Sequence, residues 1–418
     1  MLRFGAVAPF RNRSFRFQWP ADLFTSCAFE METLILAWYV LVETNSVLML
    51  TIYGALLYGG TLIAPMIGVA SDRIGPGNLL ALMRASYALV AVTLMTLAFN
   101  GALSPVAVLI LGAISGLVRP SDMGLRGALI AHYMPPDQLT GALGIGRTTS
   151  DTARIAGALA GAGMVAAFGI GAAYVAVTAF YLASAALTWR AGGGTTVRAP
   201  VSVAPEIIIQ PSPWRDLREG IVHIWNTPRL LALVWFAFLV NFAVFPLTNG
   251  LLPYVAREIY RIDQTGLGYL IASVSAGALI GSIAMTRSGI RFGLTRIMLV
   301  GSVIWHLLVL VFAQMQSVTG GVIALLLCGI AQSITMVSHT VLLLRASTAR
   351  FRGRVMGVRM MAIYSLPLGL LIAGTLIPLI GFHATASLYA VVGILGTGVI
   401  AMKWAASLWR SGPTEDGA

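Results

Sequence analysis

With 418 residues, 58% of them hydrophobic and only 10% charged, this chain cannot cover itself with a polar surface; soluble proteins carry about 25% charged residues. A mean hydropathy of +0.85 excludes soluble globular, disulfide-scaffold, collagenous and disordered classes and leaves a polytopic α-helical membrane protein. The net charge of +12 would suggest nucleic acid in a soluble protein, but its distribution along the chain decides otherwise.

Apolar stretches long enough to cross a hydrocarbon core of roughly 30 Å as helices recur along the chain. In the first half they fall at 19–42, 47–70, 79–99, 105–130, 140–168 and 171–189. In the second half they fall at 230–255, 266–286, 296–314, 321–344, 355–380 and 385–404. Of the 27 Lys and Arg, all but Arg119, Arg126, Arg147, Arg154, Arg257 and Arg261 lie in or beside segments on one side: the N-terminal arm, the loops after spans 2, 6, 8 and 10, and the tail. The positive-inside rule puts that side, and both termini, in the cytoplasm, and the even span count agrees. The basic excess is a topology signal and no nucleic-acid partner is expected. The basic start (Arg3, Arg11, Arg13, Arg16) leads into a full-length span and is read as a cytoplasmic arm, not a cleavable signal. Cys27 and Cys328 both fall within spans and read as free buried thiols.

The expected domains are a six-helix bundle at 1–189, a cytoplasmic linker at 190–229, a second six-helix bundle at 230–404 and a tail at 405–418. The linker opens with Gly192-Gly193-Gly194 and continues through Pro200, Pro205, Pro211 and Pro213. It then reads as an amphipathic helix, with Ser212 as N-cap and Pro213 at the first helical position. Trp214, Leu217, Ile221, Ile224 and Trp225 form one face; Arg215, Asp216, Arg218 and Glu219 form the other. Such a helix suits the cytoplasmic headgroup region; the alternative is a solvated connector. The halves also resemble each other. A shift of 212 places Gly141 on Gly353, Leu143 on Val355, Arg147 on Arg359 and Gly157 on Gly369. Two six-helix repeats about an axis along the membrane normal are the pattern of major facilitator transporters.

Three motifs carry the same resemblance. The run from Gly68 to Gly75 (Gly68, Asp72, Arg73, Gly75) resembles the major facilitator loop pattern G-x-L-x-D-R-x-G-R-R/K, although Pro76, Gly77 and Asn78 stand where basic residues follow in the family. Arg350 to Gly357 resembles the R-G-R-V-M run that opens helix 11 in the branch of macrolide-efflux proteins and the enterobactin exporter. Leu217 to Gly220, followed by Asn226 and Pro228, is similar to that branch as well. The resemblance implies a twelve-helix major facilitator fold and efflux rather than uptake. It also implies that Asp72 faces the start of helix 11, whose positive dipole end and arginines (Arg352, Arg354, Arg359) favour a carboxylate. That contact would latch the cytoplasmic side shut; the local alternative is a helix cap. In the family fold helices 5 and 8 meet, and Gly157-x-x-x-Gly161 and Gly277-x-x-x-Gly281 fit a close contact there; generic glycine enrichment is the plainer reading.

Ionisable groups at membrane depth cost several kcal/mol and are by default functional candidates. Arg119, Asp122 and Arg126 share one face of span 4, and Arg147, Asp151 and Arg154 share one face of span 5. The spans run antiparallel, so these residues form a candidate cross-helix ladder, functional or simply a fixed ion-pair network. Glu30 and Glu32 lie at similar depth, about 200° apart around span 1. Glu30 shares a polar stripe with Asp22, Ser26 and Thr33; Glu32 lies among Ala28, Phe29, Ile35 and Leu36. A glutamate facing a cavity, between the influences of burial and a nearby arginine, could load and release a proton. Glu30 is therefore the first candidate for coupling, with Asp22, Glu32 and Asp151 next; a permanent Glu30–Arg154 pair is the competing reading.

The second half is almost uncharged within its spans. Asn241, Phe245, Asn249, Gln332, His339 and Tyr364 are its candidate substrate contacts, in a lining that suits an amphipathic organic compound. Individually each polar residue also reads as glue between helices. His306 and His339 read as structural, and no cluster has metal-ligand spacing. The chain has no G-x-x-x-x-G-K-S/T phosphate loop, so a secondary transporter coupled to protons is expected. That transporter would act as a monomer in the bacterial inner membrane, without cofactor, exporting a drug, siderophore or similar molecule. The alternatives are a lipid or lysolipid transporter, or a non-transporting sensor or scaffold. A membrane enzyme would need a nucleophile–base pair or metal site, and the chain offers neither.

Overall fold

Asn12 starts the first long helix because its side chain accepts from the backbone N–H groups of Ser14 and Phe15, which have no partner of their own within the helix. The structure, a computed structural model, describes residues 8–60, 70–71, 73–192, 213–287, 293–347 and 351–409. Its elements are α-helices and single helical turns. In the first half these are α1 (Arg13–Thr44), α2 (Val47–Leu56), α3 (Pro76–Phe99) and α4 (Pro105–Tyr133). One helical run, Pro136–Gly192, follows them. It is two helices, α5 (136–168) and α6 (170–192), because Gly169 takes φ +80°, a left-handed conformation that a side chain would strain. The linker helix is α7 (Pro213–Trp225). Then come α8 (Pro228–Ala243), α9 (Gln264–Arg287), α10 (Leu294–Gln314), α11 (Val318–Ala346) and α12 (Arg352–Ala362). The run Ser365–Lys403 breaks at Gly381, φ +82°, into α13 (365–380) and α14 (382–403).

Serine caps and N1 prolines set several of the starts. Ser46, Ser104 and Ser317 accept from the backbones of Met49, Ala107 and Gly320, and Pro76, Pro105 and Pro228 each occupy a first helical position. Nine helical segments among the described residues are long and apolar enough to cross a membrane, and two of these contain the glycine breaks. Leu82, Leu89, Phe168, Leu379 and Met402 are exposed, where lipid rather than water is the favourable neighbour.

Backbone contacts divide the chain into two units, one of residues 1–210 with 253–272, the other of 211–252 with 273–418. In the first, α1 packs along the α5–α6 pair, α3 packs on that pair and on α4, and α2 bridges α1 and α4. The stretch after Pro253 belongs to this unit, and Arg257 anchors it to the end of α1. Its guanidinium donates to the Leu41 carbonyl at 2.6 Å and to Asn45 Oδ1 at 2.5 Å, a cation on the negative end of a helix. In the second unit α10 packs on α11 and α14, α8 on the α13–α14 pair, and α7 on α12. Past α8 the chain turns widely at Pro246–Gly250, with the Leu251 N–H reaching the Pro246 carbonyl five residues back. Proline has no N–H to give a regular turn there.

The two halves share one construction. The left-handed glycines Gly169 and Gly381 stand 212 residues apart, the offset at which the sequences match. At that offset Gly157 and Gly369 make the equivalent approach. A Cβ on Gly157 would lie 2.8 Å from the Cys27 carbonyl oxygen of α1, and one on Gly369 would lie 2.3 Å from the Phe242 carbonyl oxygen of α8. This corrects the role expected of the glycine pairs. Gly157 and Gly161 meet α1, and Gly277 and Gly281 meet Leu326 and Ile330 of α11. Helices α5 and α9 do touch, through Ala158, Ala162 and Gly268. Small residues mark close crossings, but spacing alone does not say with which helix. Cys27 and Cys328 are free thiols.

Candidate functional site

The polar interior of the first unit is built on one stripe of α1: Asp22, Ser26, Phe29, Glu30 and Thr33. Helix α4 runs alongside, and its two arginines, two turns apart, land on two levels of the stripe. Arg126 donates to Ser26 Oγ at 2.9 Å and lies 3.8 Å from Asp22. Arg119 donates to Thr33 Oγ1 at 2.9 Å and stacks over the Phe29 ring, 4.2 Å from its centre. That is a cation–π contact removed from water.

At the lower level a four-membered network closes. Arg84 of α3, completely buried, pairs with Asp22, lies 3.5 Å from Asp122 and donates to Thr188 of α6. Arg126 pairs with Asp122 at 2.5 Å, four residues away on its own helix. Gln18 donates to Asp22 at 2.7 Å. Two arginines and two aspartates are thus neutral as a group, the condition for holding charge at this depth. The sequence reading counted Arg84 among the peripheral cations; the structure corrects this and makes it the centre of the network.

The expected rungs between α4 and α5 do not form among the described residues. Asp122 is taken by α3 and its own helix, and Asp151 by Arg147, four residues earlier, at 3.1 Å. An i,i+4 partner is always within reach on a helix, so it competes well with a partner across an interface. Arg154 instead crosses to α1 and meets Glu30 Oε1 at 3.3 Å. Glu32 points the other way, as the 200° separation requires. It is buried and accepts a 2.6 Å hydrogen bond from the Tyr181 hydroxyl of α6. Tyr181 in turn packs with Tyr87 and Phe29, with ring centres 5.0–5.8 Å apart.

In the second unit, Asn241 donates to the Ala237 carbonyl of its own helix, and Asn249 is exposed on the wide turn. Phe245 meets the buried Trp305 ring edge-on at 5.3 Å. His339 bonds the Leu233 carbonyl through Nε2 at 2.9 Å and stacks on Phe236. Tyr364 is half-buried where α12 gives way to α13. Trp305 Nε1, Gln332 Oε1, Thr335 Oγ1 and His339 Nδ1 are among the buried atoms with no hydrogen-bond partner among the described residues. Gln332, Thr335 and His339 share one face of α11. Trp305 had not been singled out from the sequence; a lone tryptophan in an apolar span gives no signal until its neighbours are known.

Of the gating candidates, Gly68 and Asp72 lie outside the described residues, as do the side chains of Arg352 and Arg354. Arg73 is exposed and Arg359 half-buried. Gly75 takes φ +84° directly before α3, so Pro76 serves as a helix start where the family pattern carries a basic residue.

The chain matches the family described as transmembrane secretion effector over residues 4–411. It is 24% identical over 356 residues to the multidrug efflux pump Tap of Mycobacterium tuberculosis, covering 82% of this chain and 81% of that protein. The Tap protein of Mycolicibacterium fortuitum matches over 168 residues, also at 24%. Among solved structures, a bacterial homologue of the human lysosomal transporter Spinster superposes with a TM-score of 0.73 at 14% identity, over 96% of this chain and 99% of that one. The nucleoside transporter NupG gives 0.71 at 14%, over 95% and 100%. At these identities the structures speak for the fold. A family match along nearly the whole length, with helices of membrane-spanning length and composition, identifies the protein as a multi-pass membrane transporter rather than an enzyme: the chain belongs to the transmembrane secretion effectors of the major facilitator superfamily.

Proposed function

We propose that this protein exports a small amphipathic organic compound in exchange for protons, by alternating access of two six-helix bundles. On this reading the chain has twelve spans with both termini in the cytoplasm of a bacterial cell, and it works as a monomer in the inner membrane. The expected division of the chain is kept: bundles at 1–189 and 230–404 flanking a linker. Likeness to a multidrug efflux pump supports the direction and the substrate class. In the second unit Phe245, Trp305, Gln332 and His339, together with Asn241, Asn249 and Tyr364, are the proposed substrate contacts, aromatic rings and hydrogen-bonding groups in a combination suited to a mostly apolar ligand with few polar groups.

The observation that carries proton coupling is the contrast among the interior carboxylates. Glu30 has a side chain 24% exposed, against 12%, 0% and 11% for Asp22, Asp122 and Asp151. Among the described residues it pairs with one arginine, on another helix, whereas Asp22 and Asp122 share two. A partly exposed carboxylate with a single arginine partner can be protonated and released from it; one locked in a neutral network cannot. Glu32, buried and held by the Tyr181 hydroxyl, serves packing. Gating is assigned to Gly68, Asp72, Arg73 and Gly75 together with Arg352, Arg354 and Arg359.

The test is flux in proteoliposomes under an imposed proton gradient. Glu30→Gln should abolish proton-driven export yet bind substrate without a gradient, whereas Glu32→Gln should lower the melting temperature first. Export by Glu30→Gln against a substrate gradient at the parent rate would refute the assignment.

A further inference from the structure

The linker helix α7 has two faces that transport chemistry leaves unused. Inward, Ile224 is 3% exposed, and the His223 ring lies flat on Phe351, with centroids 4.2 Å apart and planes 11° from parallel. Phe351 is the residue immediately before α12, the helix that carries Arg352, Arg354 and Arg359. Outward, Ile221, Val222 and Trp225 are 40%, 49% and 67% exposed, and exposed Arg218 continues the same stripe one turn earlier; this corrects the faces expected from the sequence, which set Arg218 opposite Ile221 and Trp225 and grouped Ile224 with them. Helix α7 ends at Trp225, and the apolar span that begins α8 starts at Pro228. Three residues reach at most about 10 Å, so the chain itself holds the end of α7 near the level at which it enters the bilayer. A tryptophan, two aliphatic side chains and an arginine at the rim are the residue types that settle at a membrane interface.

We propose that α7 is seated in the headgroup layer through Ile221, Val222 and Trp225, with Arg218 facing lipid phosphate, and that the His223–Phe351 stack ties this seat to the first turn of α12. The lipid surface thereby steadies the start of the helix assigned to gating. A bare linker needs neither an apolar outer stripe nor an aromatic lock on a neighbouring helix. The seat and the lock are independent of substrate or coupling ion, so they stand or fall separately from the export reading.

The test uses the full chain with Cys27 and Cys328 replaced by Ala and a nitroxide attached at Val222→Cys, reconstituted in nanodiscs of phosphatidylcholine with phosphatidylglycerol. The expected spectrum shows a restricted label that collides more with oxygen, which concentrates in lipid, than with a water-soluble nickel chelate. Dominant collision with the nickel chelate would overturn the seat and leave a solvated connector. Phe351→Ala and His223→Ala should each mobilise the label without moving the melting temperature, and His223→Phe, which can still stack, should keep it restricted. If Phe351→Ala fails to fold, His223→Ala reads the same contact from the linker side. An unchanged lineshape in a folded His223→Ala protein would overturn the lock.

Discussion

Arg84 gives the sharpest test of the polar interior. It is completely buried, pairs with Asp22, lies 3.5 Å from Asp122 and donates to Thr188. Arg84→Met keeps most of the stem volume but leaves two carboxylates facing Arg126 alone. Removing one partner of a buried network leaves an uncompensated charge and costs about 3–5 kcal/mol. That is a large share of the roughly 5–15 kcal/mol that separates folded from unfolded states in typical proteins. The lost Thr188 bond adds about 1.5–3 kcal/mol if the hydroxyl finds no other partner. Arg84→Met with Asp122→Asn then removes one charge of each sign and leaves Arg126 with Asp22, which it already approaches at 3.8 Å. The double variant should recover much of the loss, a coupling of about 0.5–3 kcal/mol for groups in one network. Thermal melts of the purified protein and its three variants complete the cycle. A single variant that melts with the parent, or a double variant whose losses simply add, would refute the network as a holding element of α1, α3 and α4.

Three further outcomes follow from the same geometry. Gly157→Ala and Gly369→Ala place a Cβ 2.8 Å and 2.3 Å from backbone oxygens of the neighbouring helix; each should destabilise by about 1–3 kcal/mol, while Gly163→Ala, with nothing within 4 Å, melts with the parent. On the gating proposal, Asp72→Asn should shift the population towards inward-open, raising labelling of cysteines introduced on the cytoplasmic side of the cavity; unchanged labelling leaves Asp72 a local cap. Asp151→Asn, on the coupling proposal, should slow proton-driven export while counterflow without a gradient persists; equal loss of both would place Asp151 in substrate handling.

Much of the architecture was legible because one-dimensional signals carry it. Apolar length pointed to membrane-spanning helices, nine of which stand among the described residues, serine and proline set several of their starts, and the 212-residue offset recurs in the left-handed Gly169 and Gly381. The i,i+7 spacing of Arg119 and Arg126 correctly put both on one face. What the sequence did not reveal was the partner. Asp122 was expected to face α5, but α3 and its own helix took it, since pairing depends on which helices touch. Arg84 escaped notice for the same reason: near the end of a span a cation reads as peripheral unless an aspartate on another helix is known to lie beside it. The separation of Glu30 from Glu32 was legible because helix geometry alone imposes it. That one goes to Arg154 and the other to Tyr181 needed the fold.

The arrangement of the pairs suggests how a proton would do work here. Arg154 holds Glu30, and three residues before it on α5 lies Asp151, held by Arg147, whose side chain is 73% exposed. If Glu30 takes a proton, Arg154 loses its anion at membrane depth, where an unpaired charge is costly. The nearest remedy lies on its own helix, since residues three apart are neighbours. Arg154 can turn to Asp151 because Arg147, unlike Arg84 or Arg126, is exposed and not built into the buried network. One protonation then moves an arginine from a bond between α1 and α5 to a bond within α5, and leaves the Trp19–Thr149 hydrogen bond as a remaining polar tie between those helices. The close glycine crossing at Gly157 and Gly161 leaves little bulk to resist a shift of α5 along α1. A neutral network of four could not serve this way, because every member that let go would leave a charge with nowhere to turn. On the proposed reading, the lower network holds the bundle while the Glu30–Arg154 pair, with Asp151 as its second seat, is the part that moves.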